Sequence, residues 1–226
     1  MIGVFDSGVG GISAFREVRR LLPREDIIYL ADRKNAPYGI KSEGEIVALI
    51  KKNIRRLRAS GAKRILIACC SASCLWDRLD EGEKEISLPI IAPAAKEAAR
   101  VGRRIGVIST VRTKESHAFG KEIKKYKDCP VFEIATQPLV AMVESGSRDG
   151  RVATDCLEYL KETVARLKEE NIDTLILGCT HFSHLKGEIG RLTRGVKIID
   201  PAIIGAREFV KKIKNRTGCG RITYTT

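Results

Sequence analysis

The chain has 226 residues, of which 43% are hydrophobic, and its formal net charge is +13 from 41 Lys and Arg against 28 Asp and Glu. This is the composition of a folded globular protein, and no apolar stretch approaches the roughly 20 residues that span a membrane. The first residues enter directly into a strand pattern without a signal segment, which predicts a cytoplasmic protein. The basic residues are spread over predicted helix faces, and aromatic residues are too sparse for base stacking, so nucleic acid is not an expected partner. A positive field would attract an anionic substrate.

The chain contains seven cysteines, an odd number. A secreted disulfide framework would be denser in a shorter chain, so this count favours free thiols in a reducing compartment. Cys129, Cys156 and Cys219 are scattered, and we interpret them as small packing residues. The other four lie in or beside two repeated segments: Cys69, Cys70, Cys74 and Cys179.

Short apolar runs alternate with amphipathic stretches along the whole chain. The apolar runs predict strands at 2–5, 27–31, 64–68, 89–92, 105–109, 131–135, 174–178 and 196–199. The amphipathic stretches predict helices near 11–22, 42–60, 73–80, 93–102, 112–127, 137–145, 150–171, 182–191 and 201–215. Ser42 and Glu45 match a capping box at the start of the second helix. This alternation indicates an α/β fold with parallel sheets, in which ligands bind at the carboxyl ends of the strands.

Two pairs of segments repeat within the chain. Residues 64–73 and 174–183 are both an apolar run that ends in a small residue, then Cys69 or Cys179, then small hydroxyl-bearing residues. Residues 2–7 are similarly echoed by residues 105–110. The repeats predict two similar α/β domains, each with one thiol at the end of a strand. A boundary near Pro89–Pro93 divides the chain into a first domain of residues 1–92 plus 200–226 and a second of residues 93–199.

The segment Asp6-Ser-Gly-Val-Gly-Gly11 directly follows a predicted strand. Its glycines allow a ligand to approach the backbone, and the helix after it would offer N–H groups to an anion. A nucleotide site and a plain tight turn are both possible, but a site for a small carboxylate is the preferred interpretation. Ala36-Pro-Tyr-Gly39 follows another strand end at Asp32 and reads as a rigid turn.

Cys69 and Cys179 are candidates for acid and base chemistry. The pKa of a thiol falls at a helix N-terminus or beside a cation, and His181 lies two residues from Cys179. Two thiols on opposite sides of a Cα–H could remove a proton from one face and return one to the other. Such a pair would invert a stereocentre without a metal or an organic cofactor. The soft ligands Cys69, Cys70, Cys74, Cys179 and His181 also permit a metal site, although their spacing matches no standard pattern.

Nearly the whole chain resembles the glutamate racemases of the aspartate/glutamate racemase superfamily. The resemblance rests on motifs in matching order: Asp6-Ser-Gly-Val-Gly-Gly11, Tyr29-Leu-Ala-Asp32, Ala36-Pro-Tyr-Gly39, Ile105-Gly-Val-Ile-Ser-Thr110, Thr113, Ser116, Glu144, Leu177-Gly-Cys-Thr-His181 and Asp200. It implies two parallel α/β domains about a pseudo-twofold axis, a homodimer, no cofactor and a role in peptidoglycan synthesis. It also implies a catalytic set of Cys69, Cys179, Asp6 and His181. The implied substrate-binding set is Ser7, Pro37, Tyr38, Gly39, Cys70, Ser71, Thr113 and Thr180.

Two segments depart from the pattern of that family. Cys70 stands where the family carries an asparagine, and a thiol is a weaker hydrogen-bonding group than an amide. Arg33-Lys34-Asn35 replaces a Thr-Ala-Arg-like stretch. Other functions therefore stay open: a related racemase, isomerase or lyase acting on another small carboxylate, or a homologue that only binds a ligand or a metal.

Overall fold

The computed structural model describes residues 1–144, 154–213 and 218–226. Within these ranges the chain forms strands β1 to β9, which are Ile2–Asp6, Ile27–Ala31, Arg64–Ile67, Ser87–Pro89, Ile105–Ser109, Val131–Ala135, Thr174–Gly178, Lys197–Ile199 and Ile222–Thr225. The helices α1 to α11 are Ile12–Leu21, Glu43–Ala59, Cys70–Ser73, Glu81–Ile86, Ile91–Val101, Val111–Ser116, Ala118–Lys124, Gln137–Glu144, Thr154–Glu169, Lys186–Leu192 and Pro201–Lys211. None of these helices combines the length and apolarity needed to cross a membrane.

The strands form two sheets in which neighbouring strands run parallel. The first sheet has the order β4-β3-β1-β2-β9 and the second has the order β6-β5-β7-β8. Strands β1, β2, β5 and β7 are buried along their whole length. Burial on both faces is the reason these strands are continuous apolar runs rather than alternating ones.

The two sheets share one strand order. The order β2-β1-β3-β4 in the first sheet corresponds to the order β6-β5-β7-β8 in the second. Strand β9 is an additional edge strand beside β2. Cys69 and Cys179 each follow the third strand of their own half. The predicted α/β class with two similar parallel-sheet units is therefore confirmed. Below, the first half denotes β1–β4 with their connections, and the second half denotes β5–β8 with theirs.

The largest apolar cluster is built from both halves. It contains Val4 of the first sheet, Val107 of the second, Ala94 of α5 and Phe209 of α11. Gly205 of α11 lies against Ile90, because a Cβ built on this glycine would stand 2.4 Å from Ile90 Cγ2. Helix packing thus joins the two sheets.

The capping box predicted at Ser42 is present, and it begins α2. Ser42 Oγ accepts from the N–H of Glu45 at 3.3 Å, and the N–H of Ser42 donates to Glu45 Oε2 at 3.0 Å. Reciprocal bonds of this kind satisfy two of the donors that a helix leaves free at its N-terminus.

The strand predicted at 89–92 is wrong, since the strand is Ser87–Pro89 and α5 begins at Ile91. The apolar residues that suggested a strand are buried by the contact between α5 and α11 instead. A proline at position 93 is tolerated there because it falls in the first turn of the helix.

Two predicted helices are interrupted. The helix predicted at 73–80 does not form: the single turn α3 ends at Ser73, a 3₁₀ turn spans Trp76–Arg78, and a new helix starts at Glu81 behind a capping box of Asp80 and Glu83. Ser73 Oγ donates to Ile67 O and accepts from Ile90 N, which ties the end of α3 to its surroundings. The helix predicted at 112–127 breaks at His117, whose φ is +50°. Strand β9 was not predicted, and the helix ends predicted at 145, 150–153 and 214–215 lie outside the described residues.

Candidate active site

The predicted functional residues converge where the carboxyl ends of the two sheets meet. Asp6 ends β1, Cys69 follows β3, Thr110 follows β5 and Cys179 follows β7. Hydrogen bonds cross between the halves at this point. Thr180 Oγ1 donates to Asp6 Oδ2 at 3.1 Å, and the hydroxyls of Ser71 and Thr110 are 2.9 Å apart.

Cys69 is 4% exposed, and its thiol donates to Ser7 Oγ at 3.4 Å. Burial raises the pKa of the Cys69 thiol to about 12, and the charge of Asp6 adds to the increase. The Ser7 hydroxyl and the N–H groups of Ala72 and Ser7 oppose this increase in the pKa. The same three donors would stabilise a thiolate at this position through hydrogen bonds.

Cys179 is 6% exposed and has a different set of partners. Its Sγ is 3.5 Å from His181 Nδ1, and His181 Nε2 is 2.9 Å from Glu144 Oε1. Burial raises the pKa of Cys179 well above its ordinary value, and the N–H of His181 opposes that increase. The charge of Cys69 is a further cause of the raised pKa of Cys179.

Asp6 is fully buried between the two halves. Its Oδ1 accepts from the N–H of Gly8 at 2.8 Å, and its Oδ2 accepts from Thr180. Burial raises the pKa of Asp6, while the charge of His181 opposes the increase. Asp6 therefore links the Cys69 side of the site to the Cys179 side.

The glycine turn after β1 allows the two halves to approach closely. A Cβ on Gly10 would stand 2.5 Å from Thr180 Oγ1 and 2.9 Å from His181 Nδ1. These distances are shorter than real Cβ contacts, so a side chain at this position would push the Cys179 loop away. The turn thus has a packing role that its sequence alone did not reveal.

The turn at Pro37, Tyr38 and Gly39 lies against the second half. The Ala36–Pro37 bond is cis, and a Cβ on Gly39 would stand 2.6 Å from Gln137 Oε1 and 2.7 Å from Thr110 Cβ. The Tyr38 hydroxyl donates to Asp32 Oδ2 at 2.6 Å. This hydroxyl is therefore committed to a bond within the protein.

A chain of buried hydroxyls lines the second side of the junction. Thr110 Oγ1 contacts Ser71 Oγ and donates to Thr113 Oγ1 at 3.0 Å, and Cys74 Sγ reaches Thr113 Oγ1 at 3.6 Å. Thr110 also caps α6 by accepting from the N–H of Thr113. Ser71 and Thr113 belong to the predicted substrate-binding set, whereas Thr110 is predicted only as a strand-end residue of a family motif, although a threonine between a strand and a helix is a recognisable cap.

Cys70 packs in the largest apolar cluster, with Ala68 and Ile176 among its members. Burial raises the pKa of its thiol well above the ordinary value, with smaller contributions from Cys179 and Cys69. In the part of the chain that the structure describes, no three His, Cys, Asp or Glu residues are grouped as metal ligands would be. The metal alternative therefore gains no support.

Two further polar residues, Glu144 and Asn53, belong to the site or support it. Glu144 holds His181, and Asn53 Nδ2 donates to Asp32 at 3.0 Å and to Tyr38 at 3.2 Å. Asn53 could have been found from the sequence, because it is the one polar residue on the buried face of α2. Asp200, by contrast, caps α11 through a bond from the N–H of Ala202 at 3.1 Å.

Comparison with known proteins identifies the class. Residues 2–209 match the model of the Asp/Glu/Hydantoin racemase family. The chain belongs to this family. A curated relative, glutamate racemase from Gloeobacter violaceus, is 35% identical over an alignment of 228 positions that covers 97% of this chain and 85% of the relative.

Solved structures give the same result. Glutamate racemase from Francisella tularensis in complex with D-glutamate has a TM-score of 0.87 at 31% identity, covering 99% of this chain and 86% of that one. A glutamate racemase isoform from Bacillus anthracis has a TM-score of 0.86 at 30% identity, with the same coverage. The predicted resemblance and the predicted enzyme class, an amino-acid racemase, are confirmed.

Proposed function

We propose that this protein interconverts L- and D-glutamate by moving protons between the substrate Cα and the thiols of Cys69 and Cys179. The observation that carries the proposal is the placement of two buried thiols at equivalent strand ends of two similar halves. Each thiol has its own hydrogen-bonding partner, Ser7 for Cys69 and His181 for Cys179. Separate partners allow one thiol to act as the acid while the other acts as the base. Glutamate enters the proposal because the relatives that match along nearly the whole chain are glutamate racemases.

In this mechanism one sulfur acts as a thiolate and takes the Cα proton from one face. The opposite thiol donates its proton to the other face, and the configuration at Cα is inverted. Burial raises the pKa of both thiols. The N–H groups around Cys69, and the imidazole of His181 beside Cys179, are the groups that would stabilise a thiolate or move its proton.

The substrate carries two carboxylates, yet no lysine or arginine among the described residues is buried. Neutral donors must therefore bind these carboxylates. We assign this role to the hydroxyls of Ser7, Ser71, Thr113 and Thr180. The turn at Pro37, Tyr38 and Gly39 and the buried Cys70 shape the space around the side chain of the substrate.

Circular dichroism of L- and D-glutamate incubated with the enzyme tests the proposal directly. In D₂O the product formed should carry deuterium at Cα. Cys69→Ala and Cys179→Ala should each abolish racemisation, whereas Cys156→Ala, a buried cysteine far along the chain, should not. Absence of interconversion and of Cα exchange in the native enzyme would remove the glutamate assignment.

A related carboxylate is the second candidate substrate, because Cys70 offers the substrate an apolar thiol within an apolar cluster. A panel of small acidic and neutral amino acids in D₂O separates the two candidates. Exchange that is faster with another amino acid than with glutamate favours the second candidate.

We further propose two domains, residues 1–92 with 200–226 and residues 93–199.

We also propose that the enzyme is a cytoplasmic homodimer that supplies D-glutamate for peptidoglycan and does not bind nucleic acid. Sedimentation analysis of the purified protein tests the dimer, and a single species of 25.0 kDa would contradict it.

A further inference from the structure

A cleft lies outside the thiol site, beside the start of the loop after β2. It has a volume of about 380 Å³ and is lined by Asp32, Arg33, Lys34, Asn35, Lys52, Arg56 and Thr226. We call it the Arg33–Lys52 cleft. The volume lies within the range of small-molecule sites, at its lower end, and greatly exceeds the space of one water.

The cleft is strongly cationic. Four of its side chains are cations, and Asp32 is the single side-chain carboxylate. That carboxylate is already satisfied, since Oδ1 accepts from Asn35 at 2.8 Å and Oδ2 accepts from Tyr38 and Asn53. Its charge offsets one of the four cations, and the main-chain carboxylate of Thr226 offsets a second, Arg56.

The cations come from two separate elements. Arg33 and Lys34 lie on a 3₁₀ turn, Arg33–Asn35, while Lys52 and Arg56 are one turn apart on α2 and share a face. Arg56 donates to the main-chain oxygen of Thr226 at 2.7 Å. The side chains of Arg33, Lys34 and Lys52 form no hydrogen bond or ion pair with any residue in the described ranges.

Three unpaired cations around one concave space repel each other, and an anion with several oxygens would relieve that repulsion through charge-assisted hydrogen bonds. A single carboxylate can engage two such donors, whereas linked phosphate groups present oxygens in several directions at once. We propose that the Arg33–Lys52 cleft is a binding site for a small anion that carries two or more phosphate groups. The site is separate from the thiol site and does not depend on the reaction proposed above.

Isothermal titration with pyrophosphate as the probe tests this site. The titration is run at about 150 mM NaCl, where surface charges more than about 8 Å apart are largely screened. Saturable binding of one pyrophosphate per chain is expected. Lys34→Gln and Lys52→Gln should each weaken it about tenfold, because each removes a charged donor.

Arg58→Gln is the matched control, since Arg58 is an exposed cation on the same helix but outside the cleft. It lowers the net charge equally and should bind pyrophosphate as the native enzyme does. The proposal is overturned if no saturable binding is seen, or if Arg58→Gln weakens binding as much as Lys52→Gln.

Two competition experiments exclude other binding modes. Saturating glutamate should not displace pyrophosphate, and displacement would show that the probe occupies the substrate site instead. A short single-stranded oligonucleotide should not bind more tightly than pyrophosphate. If it does, and Arg58→Gln weakens it, the surface is a general polyanion surface and the proposal fails.

Discussion

At the scale of single residues, the two thiols have unlike surroundings. Cys69 faces the Ser7 hydroxyl, whereas Cys179 faces an imidazole that a carboxylate holds from the other side. A hydroxyl and N–H groups can only stabilise a charge, but an imidazole can also carry a proton. The two members of the proposed acid–base pair are therefore supported by different chemistry.

Glu144→Gln should lower kcat/KM for racemisation about tenfold. The neutral amide holds His181 less firmly, because charge-assisted hydrogen bonds are roughly twice as strong as neutral ones. Glu133→Gln is the matched control, since Glu133 Oε2 is 2.8 Å from the exposed His117 and lies away from the thiols. The pair of variants is compared by steady-state kinetics, and equal activities would show that Glu144 has no positioning role.

The buried Cys69 should make the fold less stable in alkali. Burial raises its pKa from 9.0 to about 12, so above pH 9 the unfolded chain releases a proton that the folded chain keeps. The stabilisation is complete below the unfolded pKa and is lost as pH rises toward the folded one. Thermal melts should show a steeper fall of Tm with rising pH above about 9 for the native chain than for Cys69→Ala. Cys219→Ala, which removes an exposed thiol, should keep the native slope, and parallel slopes for all three proteins would contradict the prediction.

At the scale of elements, continuous apolar runs made the central strands predictable, because strands covered on both faces need no polar residues. The errors arose where tertiary contacts decide the structure. The run at 89–92 fits a buried strand or a buried helix start equally well, and only its contact with α11 selects the helix. Strand β9 is short and polar, and its place beside β2 depends on pairing across the whole length of the chain.

The site was predictable to the extent that its residues follow strand ends. Cys69 and Cys179 met that criterion, as did Asp6. Asn53 and Thr110 support the site from a helix interior and a helix cap, and their importance depends on which segments meet in space. The periodicity of one sequence does not show which segments contact each other in the folded protein.

Gly10→Ala tests the close approach of the glycine turn to the Cys179 loop. The added methyl group would overlap Thr180 and His181, so activity should fall strongly and the free energy of unfolding should decrease by about 1–3 kcal/mol. Gly44→Ala is the control, because a Cβ on Gly44 meets nothing within 4 Å and its helical position favours alanine by about 0.5–1 kcal/mol. Denaturant unfolding of both variants measures the change in the free energy of unfolding, and racemase assays measure the change in activity. An active, stable Gly10→Ala variant would show that the loops are free to separate.

At the scale of the whole molecule, side-chain bonds connect the two halves. Besides the bonds of Asp6 and Ser71, Arg112 of the second half donates to the main-chain oxygen of Lys41 in the first half at 3.1 Å. Arg112 also lies 3.9 Å from Glu43. Cys69 and Cys179 are buried, so we expect substrate to reach them when contacts of this kind open.

Arg112→Ala should therefore expose the thiols more often. Brief treatment with iodoacetamide, followed by mass spectrometry, should label the exposed Cys219 first in the native chain, with Cys69 and Cys179 much slower. The variant should label Cys69 and Cys179 several-fold faster while Cys219 is unchanged. Arg104→Ala is the control, since Arg104 donates to Glu170 O within the second half. If Cys69 and Cys179 are labelled no faster in Arg112→Ala than in the native chain, other contacts control the access of reagent to the thiols.

The unlike surroundings of Cys69 and Cys179 can have only a limited effect on the energetics of turnover. L- and D-glutamate are mirror images with equal free energies in water, so the reaction has an equilibrium constant of one. The ratio of kcat to KM must then be identical in the two directions, however different the surroundings of Cys69 and Cys179 become. A chemical difference between the two sides of the site can make kcat differ between the two directions only if KM differs by the same factor. The enantiomer with the lower KM is then also the one that is converted with the lower kcat.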